Sequence, residues 1–390
     1  MTRQTEQSTP SIPAGAQGAG RIPRIVIWVE REPTGEFIRY VTDLCEAWTG
    51  KADLSIWIEP DESPEHRERI GALSCSDRIP FTRRGRSRAI TELKRQQPDL
   101  ILFAGSRAAW HGLAAARAAR FSNTVYMALS DDIYRDTSLW NVARTYRCQH
   151  TILTGVRHVI VPAYGTRYQY LLRDWIPEDR FLLIPKRYTP EPIDRSTREE
   201  LRRELGATGS ECLVVCPGES VPQARLDWLL RSWALVEERR LPARLALVHS
   251  GSEDLELQRL ASRLGLERCS FHTAKRPPGH YVAAADCVAM TSLYEMHSRV
   301  PLWAMGAGRP IVAFEADGVR MSYSDGVEGL LVPAGQIQTF AESLCALIND
   351  PAGRARMGER GLQRVAEFGV DRYQSRARQA LDRLIMECTP

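Results

Sequence analysis

Short apolar runs alternate with helix-like segments along this chain, and this alternation limits the possible folds more than any other feature. In the first half the apolar runs lie at 25–29, 54–58, 99–103, 124–129, 158–161 and 181–185. Helical composition is found at 37–48, 87–97, 110–121 and 164–173. Continuous apolar runs of this length are typical of strands that are buried on both faces, as in a parallel sheet covered by helices.

The same alternation restarts after residues 188–192, where two prolines interrupt any periodicity. Strands are predicted there at 212–216, 244–248, 287–290, 311–314 and 330–332. The sequence therefore predicts an α/β fold of two Rossmann-like, doubly wound domains that face each other across a cleft. Ligands of such domains bind at the carboxyl ends of the strands.

Composition bears on the number of domains, on possible partners and on the cellular compartment. Its 390 residues suffice for two domains, with 43% hydrophobic residues and a net charge of only +4. So small an excess of positive charge does not favour nucleic acid as a partner. Nine cysteines without a Cys-x-x-Cys pair indicate a reducing compartment. With no apolar stretch of ~20 residues and no signal-peptide pattern, we expect a cytoplasmic protein.

Three motifs in the second half point to a family. They are Tyr-Val-Ala-Ala-Ala-Asp at 281–286, the stretch from Thr-Ser-Leu-Tyr-Glu at 291–295 to 312, and Asp-Gly-Val-Glu-Gly-Leu-Leu-Val-Pro-Ala-Gly at 325–335. In order and spacing this half resembles the nucleotide-binding domain of the GT-B fold, family 4 glycosyltransferases, over about residues 210–385. The resemblance implies a retaining hexosyl-type transferase that uses a nucleotide-sugar donor and an acceptor hydroxyl, and that serves carbohydrate biosynthesis.

The expected domain organisation combines the pattern with this resemblance. We expect a disordered tail over 1–21, an acceptor domain over 22–188, a linker over 189–206, a donor-binding domain over 207–370, and a helix over 371–390 that returns to the first domain.

The chain departs from the family pattern at several donor-site positions. Glu295 matches the first of two family glutamates, but Trp303 stands where the second would bind ribose. An indole cannot accept a hydrogen bond from ribose, so we predict that Trp303 packs in its helix instead. Met296-His297-Ser298 replaces Gly-Phe-Gly, and Glu219 and Ala224 stand where the family has phosphate-binding Arg and Lys.

Candidate site residues follow from these matches and from positions at strand ends. Glu295 and Asp131 are the candidate catalytic residues, with Asp131 oriented to accept a proton from an acceptor hydroxyl. The candidates for donor binding are Gly218, Ser220, Arg225, Lys186, Arg187, His297, Ser298 and Arg299. For acceptor binding we propose Gly35 and Asp132. Each residue has a structural alternative: a solvated loop for Glu295 and the cations, a helix cap for Asp131, and an ordinary turn for Gly35.

Two further features bear on partners and cofactors. Arg83, Arg84, Arg86 and Arg88 form the densest basic run, which is either a solvated loop or a contact with an anionic membrane face or a phosphorylated acceptor. If the run is a solvated loop, we expect the protein to be free in the cytoplasm. If it contacts a membrane, we expect the protein to be peripheral to the inner membrane face. The histidines show no metal-ligand spacing, so we expect neither a metal nor another cofactor.

Two alternatives to the enzyme stay open at this stage. The loss of the ribose Glu and of the phosphate cations suits a catalytically degenerate, glycosyltransferase-like binding or scaffold protein. It also suits an enzyme that uses another phosphorylated donor in the same cleft. Fold alone does not separate these functions.

Overall fold

The structure, a computed structural model, describes residues 21–30, 35–58, 77–78, 83–129, 138–218, 224–249, 255–293 and 299–387. Its first domain is built on a seven-stranded parallel sheet in the order β3-β2-β1-β4-β5-β6-β7. The strands are β1 (Arg24–Val29), β2 (Asp53–Ile58), β3 (Asp77–Arg78), β4 (Leu100–Ala104), β5 (Thr124–Met127), β6 (His158–Val161) and β7 (Phe181–Leu183).

Helices cover both faces of this sheet. They are α1 (Gly35–Trp48), α2 (Arg83–Gln96), α3 (Ser106–Ala118), α4 (Leu139–Gly155) and α5 (Tyr164–Asp174). Alternate residues of each central strand point to opposite faces: Ile25 and Ile27 pack toward α1, whereas Val26 and Trp28 pack toward α2–α5. The strands are therefore apolar throughout, because both of their faces are buried.

The second domain repeats the plan with a six-stranded parallel sheet in the order β10-β9-β8-β11-β12-β13. Its strands are β8 (Cys212–Gly218), β9 (Ala243–His249), β10 (Cys269–Thr273), β11 (Cys287–Met290), β12 (Ile311–Phe314) and β13 (Gly329–Val332). Its helices are α6 (Arg195–Glu204), α7 (Leu226–Glu238), α8 (Leu255–Arg263), α9 (Pro278–Ala284), α10 (Val300–Gly306), α11 (Asp317–Ser322), α12 (Ile337–Asn349) and α13 (Pro351–Val365).

Both sheets have the doubly wound strand order, in which the chain reverses direction beside the first strand of the domain. The reversal lies between β1 and β4 in the first sheet and between β8 and β11 in the second. Crevices at the carboxyl ends of such strand pairs are where doubly wound domains bind ligands. The predicted α/β architecture of two Rossmann-like domains is confirmed.

The last helix, α14 (Val370–Met386), leaves the second domain and packs on the first. Its residues Tyr373, Ala377, Leu381 and Leu384 are buried in the same core as α1. The indole N–H of Trp48 in α1 donates a hydrogen bond to the Ala377 carbonyl at 2.8 Å. The chain therefore joins the domains twice, once between β7 and α6 and once before α14.

Two stretches differ from the sequence-based expectations. The predicted linker over 189–206 includes α6, whose Leu201 packs in the second domain's core. The basic run that begins at Arg83, for which a solvated loop was one of the alternatives, forms the start of α2 instead of a loop. A 3-10 turn and Gly369 in extended conformation separate α13 from α14.

Candidate functional site

The site predicted from the sequence lies at the carboxyl edge of the second sheet. Strand β8 ends at Gly218 and β11 ends at Met290, on either side of the point where strand order reverses. Six predicted site residues lie outside the described residues: Glu295, His297, Ser298, Ser220, Asp131 and Asp132. Their roles stay predictions, but the structure fixes the residues that flank their loops.

A buried hydrogen bond joins the two second-domain loops. Thr291, which follows β11 and is 1% exposed, donates its hydroxyl proton to the carbonyl of Ala224 at 2.8 Å. Ala224 ends the segment that follows β8, and Thr291 begins the segment that carries Glu295. The phosphate-side loop and the donor loop of the prediction are thus fastened to each other at their bases.

Arg225 lies at this edge with its backbone in the left-handed region, at φ 47°. Its guanidinium donates two hydrogen bonds to Asp227, both at 2.9 Å, and stacks 3.7 Å from the centre of the Trp228 ring. The bonds from Arg225 lower the pKa of the Asp227 carboxyl below its usual range. Stacking and pairing hold this cation in one orientation beside the start of α7.

Arg187 and Arg299 are both bonded to acidic side chains of the first domain. Arg299 donates to the Arg187 carbonyl at 2.8 Å and to Asp43 at 3.3 Å, although Asp43 belongs to α1 of the first domain. Arg187 donates to the other Asp43 oxygen at 2.7 Å and to Glu46 at 2.6 Å. We call these four residues the Asp43 cluster. The positive charges of its two guanidinium groups are neutralised by two carboxylates. Donor binding by Arg187 or Arg299 stays a prediction.

The Asp43 cluster is largely withdrawn from solvent. The side chains of Asp43 and Arg299 are each 2% exposed, and that of Arg187 is 17% exposed. Burial raises the pKa of Asp43, and the Arg299 and Arg187 guanidinium groups oppose this shift. Isolated charges would be strongly disfavoured at such a place.

The remaining predicted residues are placed as follows. Lys186 is buried, Gly35 is the first residue of α1, and Gly218 ends β8 exposed, with φ 149°. Trp303 lies in α10 and packs, partly buried, against the second domain's core. A side chain at Gly279 would come within 3.1 Å of Trp303, so α9 and α10 are closely packed there.

Asp43 is the functional candidate that the sequence interpretation missed. It lies among the buried residues Tyr40, Leu44 and Ala47 of an amphipathic helix. A carboxylate on the apolar face of a helix was the available signal, because such a group is buried only when it has a partner. Its partners lie far away in sequence, so no spacing rule could identify them.

Metal and membrane features can be judged only for the described part of the chain. There, no group of three His, Cys, Asp or Glu side chains is arranged to hold a metal ion. Within the same residues, no helix is both long and apolar enough to cross a membrane.

The second domain is similar in sequence to known glycosyltransferases. Residues 211–350 match the family profile described as Glycosyl transferases group 1. The D-inositol 3-phosphate glycosyltransferase of Corynebacterium jeikeium is 35% identical over 214 residues, which are 52% of this chain and 50% of that protein. Its namesake from Corynebacterium aurimucosum is 34% identical over 190 residues, 46% of this chain and 45% of that protein. The chain thus spans about half the length of the curated relatives it matches.

Solved structures extend the similarity to both domains. Anabaena Alr3699/HepE in complex with UDP-glucose has a TM-score of 0.76 at 20% identity, covering 92% of this chain and 99% of that one. Sucrose-phosphate synthase of Thermosynechococcus elongatus has a TM-score of 0.71 at 19% identity, covering 93% and 100%. The chain has the GT-B fold. Residues 211–350 of its second domain are similar to group 1 glycosyltransferases, as the sequence resemblance indicated.

Proposed function

We propose that the protein is a glycosyltransferase that moves a hexosyl-type sugar from a nucleoside diphosphate donor to an acceptor hydroxyl, with retention of configuration. The observation that carries the proposal is the β8/β11 edge of the group 1 domain, where Thr291 fastens the donor loop to the loop that ends at Arg225. Relatives named as D-inositol 3-phosphate glycosyltransferases and a similar structure that holds UDP-glucose support a nucleotide-sugar donor.

Donor binding in this proposal depends on charge at the start of α7. The leaving diphosphate accumulates negative charge, which must be stabilised by groups already in position. The amino terminus of α7 contributes the positive end of the helix dipole, and Arg225 adds a held guanidinium beside it. Glu295, His297, Ser298 and Ser220 would contact the sugar and phosphates from the two loops.

Acceptor binding is assigned to the facing edge of the first domain. The carboxyl ends of β1 and β4 define a crevice there, and α1 begins at Gly35 after β1. Asp131 and Asp132 follow β5 in the sequence and are assigned to this crevice in the proposal. A carboxylate at that position orients the acceptor hydroxyl and accepts its proton. The names of the relatives make inositol 3-phosphate the first acceptor to test. The proposal includes no metal or other cofactor.

We also assign an anionic contact to the outer face formed by α2, α3 and α4. These helices contain ten Arg and Lys residues and a single acidic residue, Glu92. The first turn of α2 is basic, and cations at a helix amino terminus are disfavoured by the helix dipole. Trp110 and Trp140 on the neighbouring helices are 44% and 84% exposed. Cations beside exposed indoles suit an anionic membrane surface, on the cytoplasmic side in this proposal.

Vesicle sedimentation tests this contact. The protein should bind vesicles that contain phosphatidylglycerol more strongly than pure phosphatidylcholine, and added salt should weaken binding. Replacing Arg86 and Arg88 by Glu should reduce binding strongly, since each cation near the surface contributes about 1 kcal/mol. Equal binding to both vesicle types would contradict the assignment.

The scaffold alternative has one specific observation in its favour. Arg187 and Arg299 are engaged by Asp43, and the residues standing at the family's Arg and Lys positions are Glu219 and Ala224. Turnover decides between the two functions. The protein is incubated with UDP-glucose and other nucleotide sugars plus inositol 3-phosphate, and products are followed by NMR. A new glycoside with the donor's anomeric configuration supports the enzyme, whereas the absence of both transfer and nucleotide-sugar binding supports the scaffold.

A further inference from the structure

Four arginines lie close together at the amino edge of the second sheet, where its strands begin, opposite to the edge of the proposed donor site. Arg198 and Arg202 belong to α6, Arg309 precedes β12, and Arg354 lies near the start of α13. Asp286, the residue before β11, lies among them, and the other four all act electrostatically on Arg309. We call these five residues the arginine cluster. The proposed transfer reaction uses none of them.

The carboxylate of the arginine cluster is shared between two of its arginines. Oδ1 of Asp286 accepts a hydrogen bond from Arg198 at 3.2 Å, and Oδ2 accepts one from Arg202 at 2.7 Å. Oδ2 also accepts from the backbone amide of Leu213 at 2.8 Å. Both oxygens are therefore committed. Within the described part of the chain, the other two arginines of the cluster have no carboxylate partner.

Further hydrogen bonds of the arginine cluster go to backbone carbonyls at the ends of helices. Arg309 donates to Ala283 in the last turn of α9 at 3.2 Å, and Arg354 donates to Ile348 in the last turn of α12 at 2.9 Å. Arg202 makes similar bonds. The carboxyl terminus of a helix carries only about half a unit of negative charge. These contacts orient the guanidinium groups without neutralising them.

The arginine cluster therefore retains an excess of positive charge and unused donors. Four guanidinium groups face one carboxylate, although the side chains of Arg202 and Arg198 are only 13% and 32% exposed. Burial and, after it, the charge of Arg198 lower the pKa of Arg309. Among the described residues, the buried Nε–H groups of Arg198 and Arg309 have no hydrogen-bond partner. Like charges repel each other strongly at partly buried positions, and a buried donor without a partner costs free energy.

We propose that the arginine cluster is a binding site for a phosphate group, carried either by inorganic phosphate or by a small phosphate monoester. A phosphate dianion offsets most of the excess charge, and the planar fork of Arg matches phosphate oxygens. The site is separate from the proposed donor edge, because β11 runs from one edge to the other. Its four residues span about 13 Å. The inference does not depend on the proposed transferase function.

Calorimetric titration of the full chain with inorganic phosphate and with glycerol 3-phosphate tests the site, at an ionic strength kept constant with sodium chloride. We expect saturable binding of at least one of these two ligands. The tighter ligand identifies the source: free phosphate, or a monoester whose organic part adds contacts. Arg309→Gln removes one charged donor group and should weaken binding by about tenfold or more.

Arg198→Gln is the second variant and should weaken binding to a similar extent, because it removes another guanidinium of the cluster. Thermal melting shows whether each variant is folded, and either variant alone decides the test. The matched control is Arg195→Gln on the same helix, whose side chain is 92% exposed and pairs with Glu199. Since exposed charges contribute little, it should leave the affinity within about twofold.

Three results would overturn the inference: no saturable binding of either ligand to the parent protein, unchanged affinity in a folded cluster variant, or an equal loss of affinity in Arg195→Gln. Phosphate bound at the donor edge would lose affinity in Arg225→Ala and keep it in Arg309→Gln, and this pattern also excludes the cluster. Titrations with nucleoside diphosphates bear on the proposed function alone, so the two proposals can fail separately.

Discussion

Arg225 is the single residue on which donor binding depends most in this account. It lies at the β8 edge, it is held by Asp227 and Trp228, and its side chain is 30% exposed. Losing one charged hydrogen bond costs about 1.5–3 kcal/mol, so Arg225→Ala should weaken nucleoside diphosphate binding roughly 10- to 150-fold. Isothermal titration calorimetry on the purified variant measures the change.

A matched control lies on the same helix. Arg231 is exposed on α7, and Arg231→Ala should leave the affinity unchanged within error. Equal affinities for the parent protein and Arg225→Ala would remove Arg225 from the site. The positive charge would then have to come from Lys186, Arg187 or Arg299, the other candidate cations.

Trp303 gives a second prediction at this scale. Its side chain extends from α10 toward α9, and in this account its indole N–H makes no hydrogen bond to ribose. Trp303→Phe keeps an aromatic ring and removes the N–H donor, so nucleoside diphosphate affinity should stay within about threefold. The free energy of unfolding should fall, because the smaller ring leaves unfilled volume. A large loss of affinity with little loss of stability would show that the indole contacts the ligand.

The residue scale also shows where sequence reasoning about the site stops. The motifs over 281–335 could be identified from the sequence because each is local, and they led to the prediction of a site after β11. The ionic partners of Arg187 and Arg299 could not be predicted, because Asp43 and Glu46 lie in another domain. A cation that follows a strand suggests a phosphate ligand in the sequence. In the folded chain the same cation can instead pair with a carboxylate that is distant in sequence.

At the scale of elements, α14 joins the end of the chain to the first domain through apolar burial. Leu381 and Leu384 are 2% and 0% exposed and share a core with Leu44 of α1. Leu384→Ala should lower the free energy of unfolding by about 2–5 kcal/mol, since removed methyl groups leave a cavity. Urea denaturation followed by circular dichroism measures this change.

The control for this element is Arg376→Ala, an exposed position on α14 that should change stability by no more than about 0.5 kcal/mol. If Leu384→Ala lowered the free energy of unfolding as little as Arg376→Ala does, α14 would contact the first domain without contributing to its core.

Element prediction succeeded where apolar content was high and failed where it was low. The ends of the buried central strands were predicted to within two residues, whereas β10 was missed because it is a half-buried edge strand of mixed polarity, Cys-Ser-Phe-His-Thr. Helix α6 was taken as linker because Leu201 is its one buried residue. Its start was nevertheless marked by Asp194, which caps it by accepting from the Thr197 amide at 2.7 Å.

For the whole molecule, buried histidines predict acid sensitivity. Burial lowers the pKa of His158 in the first domain and of His272 in the second. The unfolded imidazoles, with pKa near 6.5, therefore take up protons before the folded ones do. As pH falls below about 6.5 the unfolded state gains these protons, so the free energy of unfolding should decrease.

Urea titrations at about pH 7.5 and about pH 5.5 check this sign. His158→Asn should reduce the difference between the two pH values, because it removes one group whose pKa depends on folding. Greater stability of the parent protein at the lower pH, or an unaltered difference in the variant, would contradict the role of these histidines.

The two-domain architecture was predictable because each half repeats one alternation of buried strands and helices. The relative placement of the two domains could not be predicted from the sequence. It depends on contacts between segments that are distant in sequence, such as those of Tyr188 with Phe368 and of Arg299 with Asp43. The central claim is that a nucleoside diphosphate binds at the β8/β11 edge of the second domain.

Calorimetric titration with nucleoside diphosphates of each common base, each paired with its monophosphate, tests that claim most directly. The account predicts that at least one diphosphate binds at a single site, more tightly than its monophosphate. It also predicts that Arg225→Ala reduces the difference in affinity between the diphosphate and the monophosphate. At a hundred times its dissociation constant that diphosphate should stabilise the fold by about 2.7 kcal/mol. If no diphosphate and no diphosphate sugar binds the unaltered protein, the account of this cleft as a donor site is wrong.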